Sequence, residues 1–218
     1  MNIKKIIEHG QHEDLENRNG RIHRVGVGNR AIFVMGNRYA PDYYEGVVPE
    51  QTETTLDLLA RSGIVGKMRH ANEAVKAPTK VKLIGYVVDD DGNVINTRQK
   101  SLINPTTDVK KMPRSKMIVV IGSSMNAGKS QTAAAICWAI SNVGKDVRAS
   151  KITGTASLKD ILLMEDCGAE VVNDFTYLGH PSTYMLDEPE LIEIFDDIDL
   201  KYCNNPKRYW VVEIADGV

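Results

Sequence analysis

Apolar residues in the first half of the chain recur at strand-like intervals. In the second half they alternate between short apolar runs and stretches of helical period. Ile22, Arg24-Val25-Gly26-Val27 and Ala31-Ile32-Phe33-Val34-Met35 read as strands, punctuated by Gly26, Gly28 and Gly36. Residues 52–62 place Leu56, Leu59 and Ala60 on one side of a short helix, and residues 63–68 read as a further strand. The run 81–88, the turn Asp89-Asp90-Asp91-Gly92-Asn93 and Val94-Ile95 predict a β-hairpin. Residues 1–19 are polar, with one short helix over 3–8. The pattern therefore predicts a polar N-terminal segment (1–19) followed by a small β-barrel-like or sandwich domain over 20–105.

Pro105, Pro113 and several lysines mark a linker over 106–116. Beyond it, strands are expected at 117–121, 146–152, 170–173 and 209–215, and helices at 129–143, 157–167 and 188–198. Gly144 and Gly168 stop the first two helices. Alternation of this kind predicts an α/β fold over 117–218, a parallel sheet with crossover helices. Functional residues belong at the C-terminal ends of its strands.

Composition changes this picture little. Hydrophobic content of 42% and charged content of 26% in 218 residues describe an ordinary globular chain of one large or two small domains. Residues 1–115 carry 18 Lys+Arg against 14 Asp+Glu, and residues 116–218 carry 9 against 15. That split is too mild to argue for nucleic acid. Cys137, Cys167 and Cys203 lie far apart and outside any metal-type spacing, as expected of unpaired thiols in a reducing compartment. No apolar run is long enough for a bilayer span and no signal-peptide core follows Met1, so a cytoplasmic location without membrane contact is expected. Asp89-Asp90-Asp91 lacks the alternating ligands of a calcium loop and reads as a solvated turn. Tyr39, Tyr43 and Tyr44 around Arg38 either pack a long loop or offer a partner surface.

The chemistry concentrates after residue 121. Gly122-Ser123-Ser124-Met125-Asn126-Ala127-Gly128-Lys129-Ser130 joins an apolar strand to a helix. Polyphosphate oxygens need several donors converging on a small volume. A glycine-containing turn opening a helix supplies backbone N–H groups and the positive end of the helix dipole. In that reading Gly128 permits close approach, Lys129 reaches the terminal phosphates and the Ser130 hydroxyl ligates Mg2+. Nucleotide contacts are expected from residues 122–131, ending with Gln131. Five residues separate Gly122 from Gly128, one more than in the commonest form of a P-loop.

That spacing resembles the dethiobiotin synthetase-like P-loop proteins, a group that includes amidotransferase-type cobyrinate synthases. Two further segments share in the resemblance: Lys151-Ile152-Thr153-Gly154-Thr155, and Val212-Glu213-Ile214-Ala215-Asp216-Gly217. The resemblance implies that Lys129 binds the β- and γ-phosphates of ATP or GTP and that Lys151 stabilises charge on the transferred phosphoryl group. It implies Ser130 and Glu213 as Mg2+ ligands, with Asp174 a third acidic group. Asp216 fits the metal carboxylate at the end of an apolar strand as well as Glu213 does. Thr153 and Thr155 fall on the substrate side, near the 174–185 loop; within it residues 178–184, with His180, form either a substrate lid or a structural loop.

Three departures accompany the resemblance. The second motif lacks its proline, the β-rich first domain has no counterpart in dethiobiotin synthetase, and the chain stops just after the last predicted strand. The C-terminal part of the P-loop domain is therefore expected to be missing, either because this is a fragment or because another chain completes the fold. The first expectation is a Mg–ATP-dependent phosphoryl-transfer enzyme or NTPase acting on a small molecule. The alternative is a nucleotide-gated switch, or adaptor, whose N-terminal domain binds a protein, a second copy or a nucleic acid.

Overall fold

The computed structural model describes residues 1–103 and 113–215. Most of the expected linker, and Asp216, fall outside them. Two compact units are present: Met1–Lys100 with Thr155–Ser157, and the remainder of the chain.

The first unit is built from nine strands: β1 (Asn2–Glu8), β2 (Asp14–Glu16), β3 (Ile22–Arg24), β4 (Arg30–Met35), β5 (Arg38–Tyr39), β6 (Tyr44–Val47), β7 (Thr55–Ala60), β8 (Ile64–Ala71) and β9 (Lys80–Tyr86). Seven of them form one sheet in the order β4-β1-β9-β7-β8-β6-β5, and β4 also pairs with β8. That extra pairing closes β4-β1-β9-β7-β8 into a ring, so these five strands leave no free edge. Ile6, Phe33, Leu56, Leu58, Val65 and Val81 fill its core.

Two expected helices are strands here. Residues 3–8 lie in β1, hydrogen-bonded to β4 on one side and β9 on the other. Asn2, Lys4 and Ile6 are buried while Lys5 and Ile7 are exposed, a period of two. The expected polar segment 1–19 thus supplies a central strand. Residues 55–60 form β7 between β8 and β9, with Leu56, Leu58, Leu59 and Ala60 all buried. Strand neighbours on both sides override a helical spacing read from three residues. In the 81–95 hairpin only the first arm is a strand. The second arm contributes the single bridge between Val88 and Val94. Tyr44 is fully buried with its hydroxyl on the Lys76 carbonyl, whereas Tyr39 and Tyr43 are partly exposed.

The second unit follows the predicted alternation: β10 (Lys116–Val120), α1 (Lys129–Asn142), β11 (Val147–Lys151), α2 (Leu158–Asp166), β12 (Val171–Asp174), α3 (Glu188–Tyr202) and β13 (Tyr209–Glu213). The four strands are parallel in the order β10-β13-β11-β12, so β13, the last of the described strands, is central. Ala133 and Cys137 of α1 and Met164 of α2 pack with Val120, Val147, Ala149 and Val211 of the sheet. The ring of Phe195, on α3, lies 5.3 Å from that of Trp210. A capping box of Asp187 and Glu190 starts α3, which also carries a proline in its first turn. Among the described residues no helix is long and apolar enough to cross a membrane.

Candidate functional site

Parallel pairing aligns the strand ends. Val120 faces Glu213 across β10 and β13, Glu213 faces Lys151 across β13 and β11, and Lys151 faces Asp174 across β11 and β12. Three residues singled out from the sequence therefore stand in one row at the C-terminal edge of the sheet. The order explains it: because β13 inserts between β10 and β11, Glu213 lies beside both the 121–128 loop and Lys151.

The two glycines of that loop do different work. Gly128 has φ +86°, and a side chain there would meet nothing within 4 Å, so conformation is what calls for glycine. A Cβ on Gly122 would stand 2.9 Å from Lys129 Cγ and 3.2 Å from Ala127 Cβ, so there space is what calls for it. Asn126 is also left-handed, at φ 62°. Gly128 caps α1 without a side-chain hydrogen bond. The cap residue itself thus puts no side chain over the first amides of that helix, as anion binding at a helix start needs. Lys129 is buried to 9% exposure and its Nζ donates to the Ser124 carbonyl at 2.6 Å, folding the side chain back under the loop. Ser123, Asn126, Ala127 and Gln131 are exposed, and Met125 is half-buried.

Ser130 Oγ donates to Glu213 Oε1 at 3.1 Å, and Lys151 Nζ lies 3.3 Å from the same oxygen. Lys151 also pairs with Asp160, in the first turn of α2. Burial pulls the Lys151 pKa down, but Asp160 and then Glu213 outweigh it and the net shift is upward. Glu213 is 1% exposed, and its Oε2 is buried with no hydrogen-bond partner among the described residues. That orphan oxygen, with Ser130 Oγ beside its twin, is a hard-oxygen pair of the kind Mg2+ takes. Among the described residues no group of three or more His, Cys, Asp or Glu could hold a metal. A metal held here would take few protein oxygens and would have to draw the rest of its ligands from water or phosphate, as Mg2+ can.

Asp174 is 1% exposed and caps the 3-10 turn Phe175–Leu178, accepting from the Thr176 N–H at 2.9 Å and from the Thr176 hydroxyl. Burial raises its pKa. It stands in the row with both cap hydrogen bonds on Oδ1, which qualifies its expected role as a third metal carboxylate. Thr153 clips the end of the β13 segment, its Oγ1 accepting from the Ala215 N–H at 2.8 Å. Gly154 bonds Thr183 in both directions, N–H to Oγ1 at 2.8 Å and carbonyl from the Thr183 N–H at 2.9 Å, tying the 178–184 loop to the Lys151 turn. His180 is buried in that loop. Thr155 groups with the first unit. Asp216 lies outside the described residues; among these, Glu213 is the carboxylate at the end of β13. Burial pushes the Cys137 thiol up to about 12 and also raises Cys203, so neither supplies a thiolate near neutrality.

The sequence reading missed Asp160. An acid in a helix's first turn normally reads as a favourable partner of the helix dipole. Only the register of β11 against α2 reveals that it meets Lys151. One shallow surface depression, lined by Glu188, Pro189, Ile192 and Glu193 of α3, shares no residue with the row.

No protein-family model, no curated protein and no solved structure matches this chain.

Proposed function

We propose that the second unit binds Mg–ATP (or GTP) in the 122–131 loop and supports phosphoryl transfer, either hydrolysis or activation of a carboxylate on a small molecule. One observation carries the reading. A glycine-bounded loop, a helix start capped by Gly128 and bearing Lys129 and Ser130, and Glu213 meet at one strand edge, with Ser130 Oγ 3.1 Å from Glu213. The amides at the start of α1 and the Lys129 ammonium would take the phosphates. Ser130 and Glu213 would hold the metal, which when bound neutralises charge on phosphate oxygens. Lys151, across the ladder from Glu213, would counter the charge that develops on the transferred group. Thr153 and the 178–184 loop border the substrate side.

A second reading, a nucleotide-gated switch, draws on the separate first unit, which phosphoryl transfer on a small molecule does not need. Phosphate release from ATP by the full chain distinguishes the two. An enzyme accelerates with a small-molecule acceptor and depends on Lys151. A switch hydrolyses slowly and responds to a macromolecule. The absence of any Mg2+-dependent nucleotide binding rejects both.

A further inference from the structure

Lys151 is a cation held by two carboxylates on different elements. Asp160 reaches it from α2 and Glu213 from β13, while Asp174 stands next in the row on β12. The turn after β11 presses on the same side chain. Gly154 has φ +137°, and a Cβ there would lie 3.0 Å from Lys151 Cε, so the lysine stem runs directly under the glycine backbone. Glu213 is shared, since its Oε1 also takes the Ser130 hydroxyl, whereas the Asp160 pair has no such second claim among the hydrogen bonds it makes. When Glu213 serves a metal together with Ser130, Asp160 is the carboxylate left to hold the ammonium.

We infer that Asp160 is a positioning residue, which keeps Lys151 in the row and prevents it from collapsing onto ground-state phosphate. This rests on the phosphate-site reading above. A cation neutralised in this way adds little to substrate binding, and its charge remains available for the transition state, where binding energy accelerates the reaction. Asp160 itself touches no substrate. It acts through Lys151.

A double-mutant cycle tests this, with Kd for Mg–ATP measured by calorimetry at fixed ionic strength on the full chain. The proteins are wild type, Asp160→Asn, Lys151→Ala and the double variant, with Asp160→Glu as the conservative control. Loss of the Asp160 charge alone shifts affinity equally with or without Lys151. Release of Lys151 adds a gain that only the lysine-containing background can show. The expected result is that Asp160→Asn tightens binding at least roughly fivefold more in the Lys151 background than in the Lys151→Ala background, with Asp160→Glu near wild type. Equal effects in the two backgrounds, or weaker binding by Asp160→Asn, overturn the inference and leave the phosphate site standing. If wild type itself binds no Mg–ATP, the site reading falls and the inference falls with it. Should Asp160→Asn lose its helical circular dichroism, Asp160→Ser takes its place in the cycle with the same expected result.

Discussion

Lys151 and Glu213 are direct partners in the β11–β13 ladder, and their charged groups meet 3.3 Å apart at the C-terminal edge of the sheet. Both are nearly inaccessible, at 11% and 1% side-chain exposure. An ion pair this buried repays its desolvation only with further partners, and Ser130 and Asp160 supply them. The pair also joins the two halves of the proposed chemistry, metal on the Glu213 side and transferred group on the Lys151 side.

Lys151→Ala should separate binding from turnover. The Lys129 loop is untouched, so Mg–ATP affinity should stay within about tenfold of wild type, while phosphate release falls on the order of 100-fold. Parallel calorimetry and steady-state kinetics check this. Equal turnover reduces Lys151 to a structural lysine.

Glu213→Gln keeps the shape and removes the charge. Nucleotide binding should then lose its dependence on Mg2+, so that adding EDTA changes the variant's Kd by less than about twofold. Because Lys151 retains Asp160, the fold should survive, as circular dichroism would show. A variant as Mg2+-sensitive as wild type excludes Glu213 as a ligand.

The loop glycines should fail in different ways. Gly128→Ala forces a side chain to φ +86° and should cost about 1–2 kcal/mol in chemical denaturation. Gly122→Ala meets the flexible Lys129 stem 2.9 Å away, so it should cost little stability and displace the lysine, weakening nucleotide binding. The reverse pattern contradicts the roles assigned to them.

The first unit should be acid-sensitive through His12. Burial, reinforced by Arg38, lowers its pKa from 6.5 to about 4, and the ring stacks on Tyr43 at 5.8 Å. Above pH 6.5 the imidazole is neutral in both folded and unfolded chains and contributes nothing. As pH falls from 6.5 towards 4 only the unfolded chain takes up the proton, so stability drops, by up to about 3 kcal/mol. Hydrogen exchange of β1 and β4 amides at pH 7 and 4.5 reads the loss, and His12→Gln should abolish most of it. An unchanged pH dependence in that variant assigns the acid sensitivity elsewhere.

The second unit was readable because its signals are local and agree. An apolar run, a glycine turn and an alanine-rich helix follow one another from Met117 to Asn142, and the structure keeps each boundary within a residue or two. The first unit was less readable because its decisive contacts are distant. Nothing local in Asn2–Glu8 announces a strand, and Lys4 at an inward position argues against one; β4 and β9 impose it from partners such as Arg30 and Val81, distant in the chain. Leu56, Leu59 and Ala60 satisfied a helical spacing only because Leu58 was left out of the count. Within the site, Lys129 and Ser130 were singled out from type and spacing, and Lys151 and Glu213 through the resemblance their segments carry. Asp160 was not, since pairing between a strand end and the next helix depends on the turn at Gly154.

Calorimetric titration of the full chain with ATP in the presence of Mg2+, wild type against Lys129→Ala, tests the central claim most directly. Wild type should bind saturably and Mg2+-dependently, and the variant should lose at least about 100-fold in affinity at unchanged thermal stability. No binding by wild type, or equal binding by a folded Lys129→Ala protein, contradicts it.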